Sequence, residues 1–89
     1  MPELMYTEGF IEDIEQVELE SKRKEIFGIT DLLSDFPELG SNNLPASIFD
    51  CYGGSVRKLA VRPFFIIYEY RESEDAVYLL GLDHQRAAW

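Results

Sequence analysis

Five basic side chains in the C-terminal half of the chain are of types that could take part in phosphate chemistry. They are Arg57, Lys58, Arg62, His84 and Arg86. Guanidinium and ammonium groups bind phosphate or carboxylate oxygens, and an arginine can do so with two hydrogen bonds at once. An imidazole with an unperturbed pKa of about 6.5 can accept or donate a proton near neutral pH. Together such groups could hold a phosphodiester, stabilise its transition state and transfer a proton.

We therefore name His84 and Arg86 as candidate catalytic residues, and Arg57, Lys58 and Arg62 as candidate binding residues. The alternative interpretation is structural, because arginines and lysines scattered over a sheet are commonly solvated and paired with nearby acids. A histidine at the end of a strand likewise often serves as a surface or hydrogen-bonding residue. The residue types alone leave both interpretations open.

The distribution of charge limits the partners of such a site. The formal net charge is −9. The first 52 residues contain 12 acidic side chains against only Lys22, Arg23 and Lys24, whereas residues 53–89 contain five charges of each sign. A strongly acidic protein repels nucleic acid at long range. The charge therefore counts against tight binding of RNA or DNA.

Other functional classes receive little support. A chain of 89 residues has room for one domain, which we place at residues 1–89. Cys51 is the only cysteine and His84 the only histidine, so we expect no disulfide, no metal site and no cofactor. The start of the chain lacks the features of a secretory signal, and no apolar run approaches the ~20 residues that cross a bilayer. We expect a cytoplasmic protein without a membrane partner. The weakest hypothesis is an unrelated enzyme, because the sequence shows neither a nucleophile–base pair nor a glycine-rich phosphate loop.

Hydrophobic spacing predicts two helices in the first half. Leu4 to Tyr6 is a candidate edge strand, and Thr7 can cap the helix that follows. Apolar residues recur at helical spacing in two sets, which predict helices over residues 8–19 and 21–35, the second closed by Pro37. The sets are Phe10, Ile11, Ile14 and Val17, and then Ile26, Ile29, Leu32, Leu33 and Phe36.

The second half reads as a sheet. Turn-forming residues fill an 18-residue connection over residues 37–54. Three strand-like runs follow at residues 56–61, 64–71 and 76–82, with Arg62-Pro63 and residues 72–75 between them. The middle run is apolar on both faces at its start, as expected for a central strand. We predict an α+β fold with a short N-terminal strand, a two-helix hairpin and a three-stranded antiparallel meander in one sheet.

Six short segments in this order resemble the RelE/ParE toxin family, with details that lean to the ParE side. They are Phe10-Ile11-Glu12-Asp13, Pro37-Glu38-Leu39-Gly40, Val56-Arg57-Lys58-Leu59, Pro63-Phe64-Phe65-Ile66-Ile67-Tyr68, Val77-Tyr78-Leu79-Leu80 and His84-Gln85-Arg86. The resemblance implies the same α+β fold. It also implies a toxin of a bacterial toxin–antitoxin pair, which either cleaves messenger RNA on the ribosome or poisons DNA gyrase, and which a cognate antitoxin silences.

The resemblance also bears on individual residues. Arg57, Lys58 and Arg62 would contact the target or the antitoxin. RNA-cleaving relatives usually carry an arginine where this chain has Phe65, so the resemblance argues against ribosome-dependent cleavage and leaves enzymatic activity open. The alternative is a non-catalytic or degenerate binding protein of the same fold. The oligomeric state expected is a monomer, or a weak homodimer formed through apolar surface that the antitoxin would otherwise cover.

Overall fold

The computed structural model describes residues 2–41 and 56–84. Its elements, in chain order, are β1 (Glu3–Tyr6), α1 (Glu8–Glu15), α2 (Glu20–Leu32), β2 (Val56–Val61), β3 (Phe64–Arg71), a 3₁₀ turn (Glu72–Glu74) and β4 (Ala76–His84). The four strands form one sheet in the order β1-β4-β3-β2. β1 runs parallel to β4, whereas β2, β3 and β4 form an antiparallel meander. The predicted α+β fold is confirmed.

The first helix begins where the sequence predicts and ends earlier. The Thr7 hydroxyl accepts a hydrogen bond from the Phe10 N–H (3.4 Å) and donates one to the Leu79 carbonyl oxygen (2.7 Å). This side chain therefore caps α1 and joins its start to β4. The predicted end at residue 19 is wrong. After Glu15, the N–H groups of Gln16 and Val17 bond to the carbonyl oxygens three residues earlier, which is the tighter 3₁₀ pattern. Val17 remains buried beyond the helix.

The second helix also ends before its predicted limit. The N–H groups of Leu33, Ser34 and Asp35 bond to carbonyls three residues earlier, so the regular α-helix ends at Leu32. Two residues that we predicted on its apolar face are exposed, Leu32 at 45 % and Phe36 at 60 %. Leu32 lies about 100° around the helix from buried Leu33, and Phe36 follows the helix end. Helical spacing therefore predicted a wider buried face for α2 than the structure has.

The strands follow the prediction closely. β2 and β3 have the predicted limits, and β4 runs two residues further, to His84. A register shift in the β3–β4 pairing leaves Leu80 unpaired. Of the connection predicted over residues 37–54, the part from residue 42 onward, including Cys51, lies outside the described residues.

The core lies between the helices and one face of the sheet. Thr30 is its buried polar residue among those described, and the Thr30 hydroxyl donates to the Phe27 carbonyl oxygen and bonds the Tyr6 hydroxyl at 2.9 Å. The hydrogen bonding of Thr30 thus joins α2 to β1. The apolar core residues are Phe10, Ile14, Val17, Ile26, Leu33, Val61, Ile66, Tyr68, Val77, Leu79 and Leu82.

Helix α1 continues the edge of the sheet where β1 stops. The β1–β4 pairing ends at Tyr6 and Leu79. Further along β4, the Leu82 N–H donates to Asp13 Oδ2 at 2.9 Å. A carboxylate thus satisfies a strand N–H that no neighbouring strand reaches.

Neither described helix is long and apolar enough to span a membrane.

Candidate binding surface and the predicted site residues

Arg57 is a structural residue in this fold. It pairs with Tyr68 across β2 and β3, on the face that carries the helices. Its Nη1 donates to the Gly40 carbonyl oxygen at 2.8 Å and to the Glu38 carbonyl oxygen at 3.4 Å. The guanidinium therefore holds backbone that follows α2.

The same backbone is bound from two further directions. The Tyr68 side chain is fully buried, and its hydroxyl accepts the Gly40 N–H at 2.7 Å. Burial raises the pKa of this hydroxyl. Ser41 and Lys58 exchange two backbone hydrogen bonds of 2.9 and 2.8 Å. Residues 37–41, which include the Pro-Glu-Leu-Gly motif, are thus attached along the outer edge of β2, and the motif has a structural explanation.

Replacing Arg57 with alanine is expected to lower the free energy of unfolding by about 1.5 kcal/mol, because two carbonyl oxygens lose a charged donor. Urea denaturation followed by circular dichroism measures this change. The matched control is Arg62→Ala, which removes an exposed guanidinium and should change the free energy by less than about 0.5 kcal/mol. Equal stability of the two variants would contradict the structural role of Arg57.

The other predicted residues lie apart from Arg57. Lys58 points to the opposite face of the sheet, where its ammonium lies 5.0 Å from the centre of the Phe65 ring. Arg62 is exposed in the turn between β2 and β3, in a cis peptide bond to Pro63. His84, at the end of β4, packs edge-on against Phe64 at 5.5 Å. Arg86 lies outside the described residues.

The structure therefore brings Arg62 and His84 to the same end of the sheet and separates Arg57 from Lys58 across it. Phe64 pairs with His84 on one side and with Val61, next to Arg62, on the other. Whether any of these residues is catalytic stays a prediction.

Three other basic side chains are held by acids. Arg71 bonds Glu69 at 2.8 Å and Glu74 at 3.4 Å, and its guanidinium lies 4.3 Å from the Tyr78 ring centre. Two ion pairs on α2 join Lys22 to Glu25 and Lys24 to Glu20. Within residues 2–41 and 56–84, Arg71 and Lys24 are thus held by acids, whereas Lys22 is paired with Glu25 and lines a groove with Pro63 and Phe64, on the side of the sheet end that carries Arg62 and His84.

Concave surface occurs at both ends of the sheet, and the sequence did not predict it. The larger groove, which we call the Phe36 groove, has a volume of about 510 Å³ and lies between the segment after α2 and the end of β3. Its described lining residues are Phe36, Pro37, Glu38, Leu39, Tyr70 and Glu72. A second groove of about 310 Å³ lies where the link between the helices meets Pro63 and Phe64. The sequence signal that could have indicated the Phe36 groove was Phe36 next to Pro37 at the start of a turn-rich segment.

The Phe36 groove combines apolar surface with negative charge. Phe36 is 60 % and Leu39 is 48 % exposed. Desolvation raises the pKa of the Tyr70 hydroxyl, and the carboxylates of Asp75, Glu72 and Glu38 raise it further. The groove thus has an apolar lining within a field of carboxylates.

The family model of the ParE toxin of the type II toxin–antitoxin system parDE matches residues 4–89. No curated protein sequence matches the chain.

Solved structures resemble the fold at low identity. The toxin–antitoxin complex RelBE2 from Mycobacterium tuberculosis contains a chain with a TM-score of 0.76 and 14 % identity, covering 94 % of this chain and 99 % of that one. The intact RelBE toxin–antitoxin complex from E. coli gives 0.71 and 10 %, with 94 % and 96 % covered. The isolated E. coli RelE toxin gives 0.72 and 10 %, with 94 % and 84 % covered.

Proposed function

The chain belongs to the ParE toxin family of type II toxin–antitoxin systems, and we propose that it stops growth in the cytoplasm by binding DNA gyrase, without cleaving messenger RNA. In its silent state it is bound by a cognate antitoxin. The observation that carries this choice is that Arg57 is bound to backbone carbonyl oxygens, while Lys58 lies on the opposite face of the sheet against the Phe65 ring.

RNA cleavage needs positive charge and a proton donor gathered around one phosphate, because the transition state concentrates negative charge there. Arg57 already binds two backbone carbonyl oxygens, and Lys58 lies on the other face of the sheet. The neighbour of Lys58 on that face is the ring of Phe65, at the position where RNA-cleaving relatives usually carry an arginine. These features support action by binding.

Binding to proteins suits the surface better. Large apolar side chains are exposed beside the acidic Phe36 groove, and negative charge steers basic partners toward the molecule. Two of the solved structures that share this fold are complexes of a toxin with its antitoxin. We extend that partnership to this chain.

Induction of the chain without its neighbouring gene is expected to arrest growth, and co-induction of that gene should restore it. Purified protein should inhibit supercoiling by gyrase and leave messenger RNA intact on translating ribosomes. Arg57→Ala removes a structural contact. This variant should therefore weaken growth arrest and gyrase inhibition only as far as it lowers the fraction of folded protein. Cleavage of ribosome-bound messenger RNA would overturn the proposed mechanism.

A non-toxic binding protein of the same family is the second candidate, favoured by Phe65 and the net charge of −9. It predicts normal growth on induction together with retained binding of the antitoxin. Growth arrest would exclude it.

A further inference from the structure

The Phe36 groove has the size of a recognition site. Its volume of about 510 Å³ falls within the range of about 300–1,000 Å³ in which binding pockets lie. Phe36 and Leu39 stay exposed although each is large and apolar. Since solvent exposure of such side chains carries a free-energy cost, a partner that covers them would gain hydrophobic stabilisation.

The backbone behind the groove is fixed before any partner arrives. Arg57 binds the carbonyl oxygens of Glu38 and Gly40, and Tyr68 binds the Gly40 N–H. A preformed site loses little conformational entropy on binding. Leu39 is therefore presented from an anchored segment.

The carboxylates of the groove select the charge of the partner. Glu38 and Glu72 line it, and Asp75 contributes to the field at Tyr70. None of these three carboxylates takes part in an ion pair with a basic residue among residues 2–41 and 56–84. Of the neighbouring basic groups, Arg57 directs its Nη1 to backbone oxygens, and Arg71 bonds Glu69 and Glu74 instead. Unpaired acids around an apolar lining are complementary to a segment with an apolar side chain between basic ones.

We propose that the Phe36 groove binds a segment of the antitoxin in which one large apolar side chain is flanked by lysine or arginine residues. This inference rests on the proposed function, since it names the antitoxin as the occupant. A second copy of the chain is a poorer occupant, because each copy has a net charge of −9 and the groove itself is acidic.

The test measures affinity for the antitoxin encoded beside this chain by calorimetry at low and at high salt. Glu38→Lys combined with Glu72→Lys is expected to weaken binding about thirtyfold at low salt, and Leu39→Ser about tenfold. The matched control is Glu12→Lys combined with Glu15→Lys, which makes the same change of charge on exposed positions of α1 and should alter affinity less than about threefold. Thermal unfolding of each variant shows that it is folded.

Overlapping 15-residue peptides covering the antitoxin then locate the segment. The binding peptide should carry an apolar residue between basic ones, and it should lose affinity for the double variant at Glu38 and Glu72. If the antitoxin binds wild type and that variant equally, the inference fails and the proposed function stands. If the antitoxin does not bind wild type, both fail. A wild-type homodimer that Leu39→Ser dissociates would assign the groove to a second copy and overturn the inference.

Discussion

Replacing Gly40 with alanine is expected to destabilise the protein by about 3 kcal/mol. A Cβ at this position would lie 2.5 Å from the Lys58 carbonyl oxygen and 2.7 Å from the Tyr68 hydroxyl oxygen. Neither atom moves freely, because the Lys58 oxygen accepts the Ser41 N–H and the Tyr68 side chain is fully buried. Relief of the clash would break the bond from the Gly40 N–H to Tyr68, so overpacking and a lost hydrogen bond add together.

The matched control is the same substitution at Gly28, within α2. A Cβ there meets nothing within 4 Å. Since alanine favours a helix over glycine, Gly28→Ala should stabilise the protein by about 0.5–1 kcal/mol. Urea denaturation of both variants gives the two free energies. Equal or like-signed changes would show that residues 37–41 are not packed against β2 as described.

Replacing Phe10 with alanine is expected to cost about 4 kcal/mol, because a fully buried aromatic side chain leaves a cavity. The Phe10 ring packs 5.6 Å from the Tyr6 ring and 6.5 Å from the Phe27 ring, measured between centroids. It therefore connects β1, α1 and α2. Small domains have a stability of about 5–15 kcal/mol, so this variant should unfold at much lower urea concentration than wild type.

Phe36→Ala is the matched control for Phe10→Ala. The Phe36 side chain is mostly exposed, and its removal should change the stability by less than about 1 kcal/mol. It should nevertheless weaken antitoxin binding, because Phe36 lines the proposed groove. A large loss of stability for Phe36→Ala, or a small one for Phe10→Ala, would contradict the assignment of core and surface.

Several parts of the fold were predictable because they depend on local signals. The limits of β2 and β3 follow from runs of strand-forming residues bounded by Arg62-Pro63 and by the acidic turn. Thr7 caps α1 as predicted, since a hydroxyl before a helical pattern satisfies a free N–H wherever the helix packs. The helix ends were not predictable from spacing, because the pattern of buried residues continues past the last α-helical turn.

Strand geometry alone places Arg57 and Lys58 on different faces of the sheet, whereas their contacts depend on the tertiary fold. Neighbouring residues of a strand point to opposite faces, so Arg57 and Lys58 could not form one patch. What each then contacts depends on long-range packing. The carbonyl oxygens of Glu38 and Gly40 lie 19 and 17 residues from Arg57 along the chain, and no local pattern predicts their approach.

The sequence by itself determined the net charge, the α+β order of elements, the cap at Thr7 and the family resemblance, since each follows from residue type or short-range periodicity. Only the tertiary structure decided that β1 lies parallel to β4, that Arg57 and Tyr68 anchor residues 37–41, and that Phe36 and Leu39 open onto an acidic groove. The physical reason is that these contacts join segments far apart in the chain, where packing and hydrogen-bond satisfaction of the whole fold select the partner.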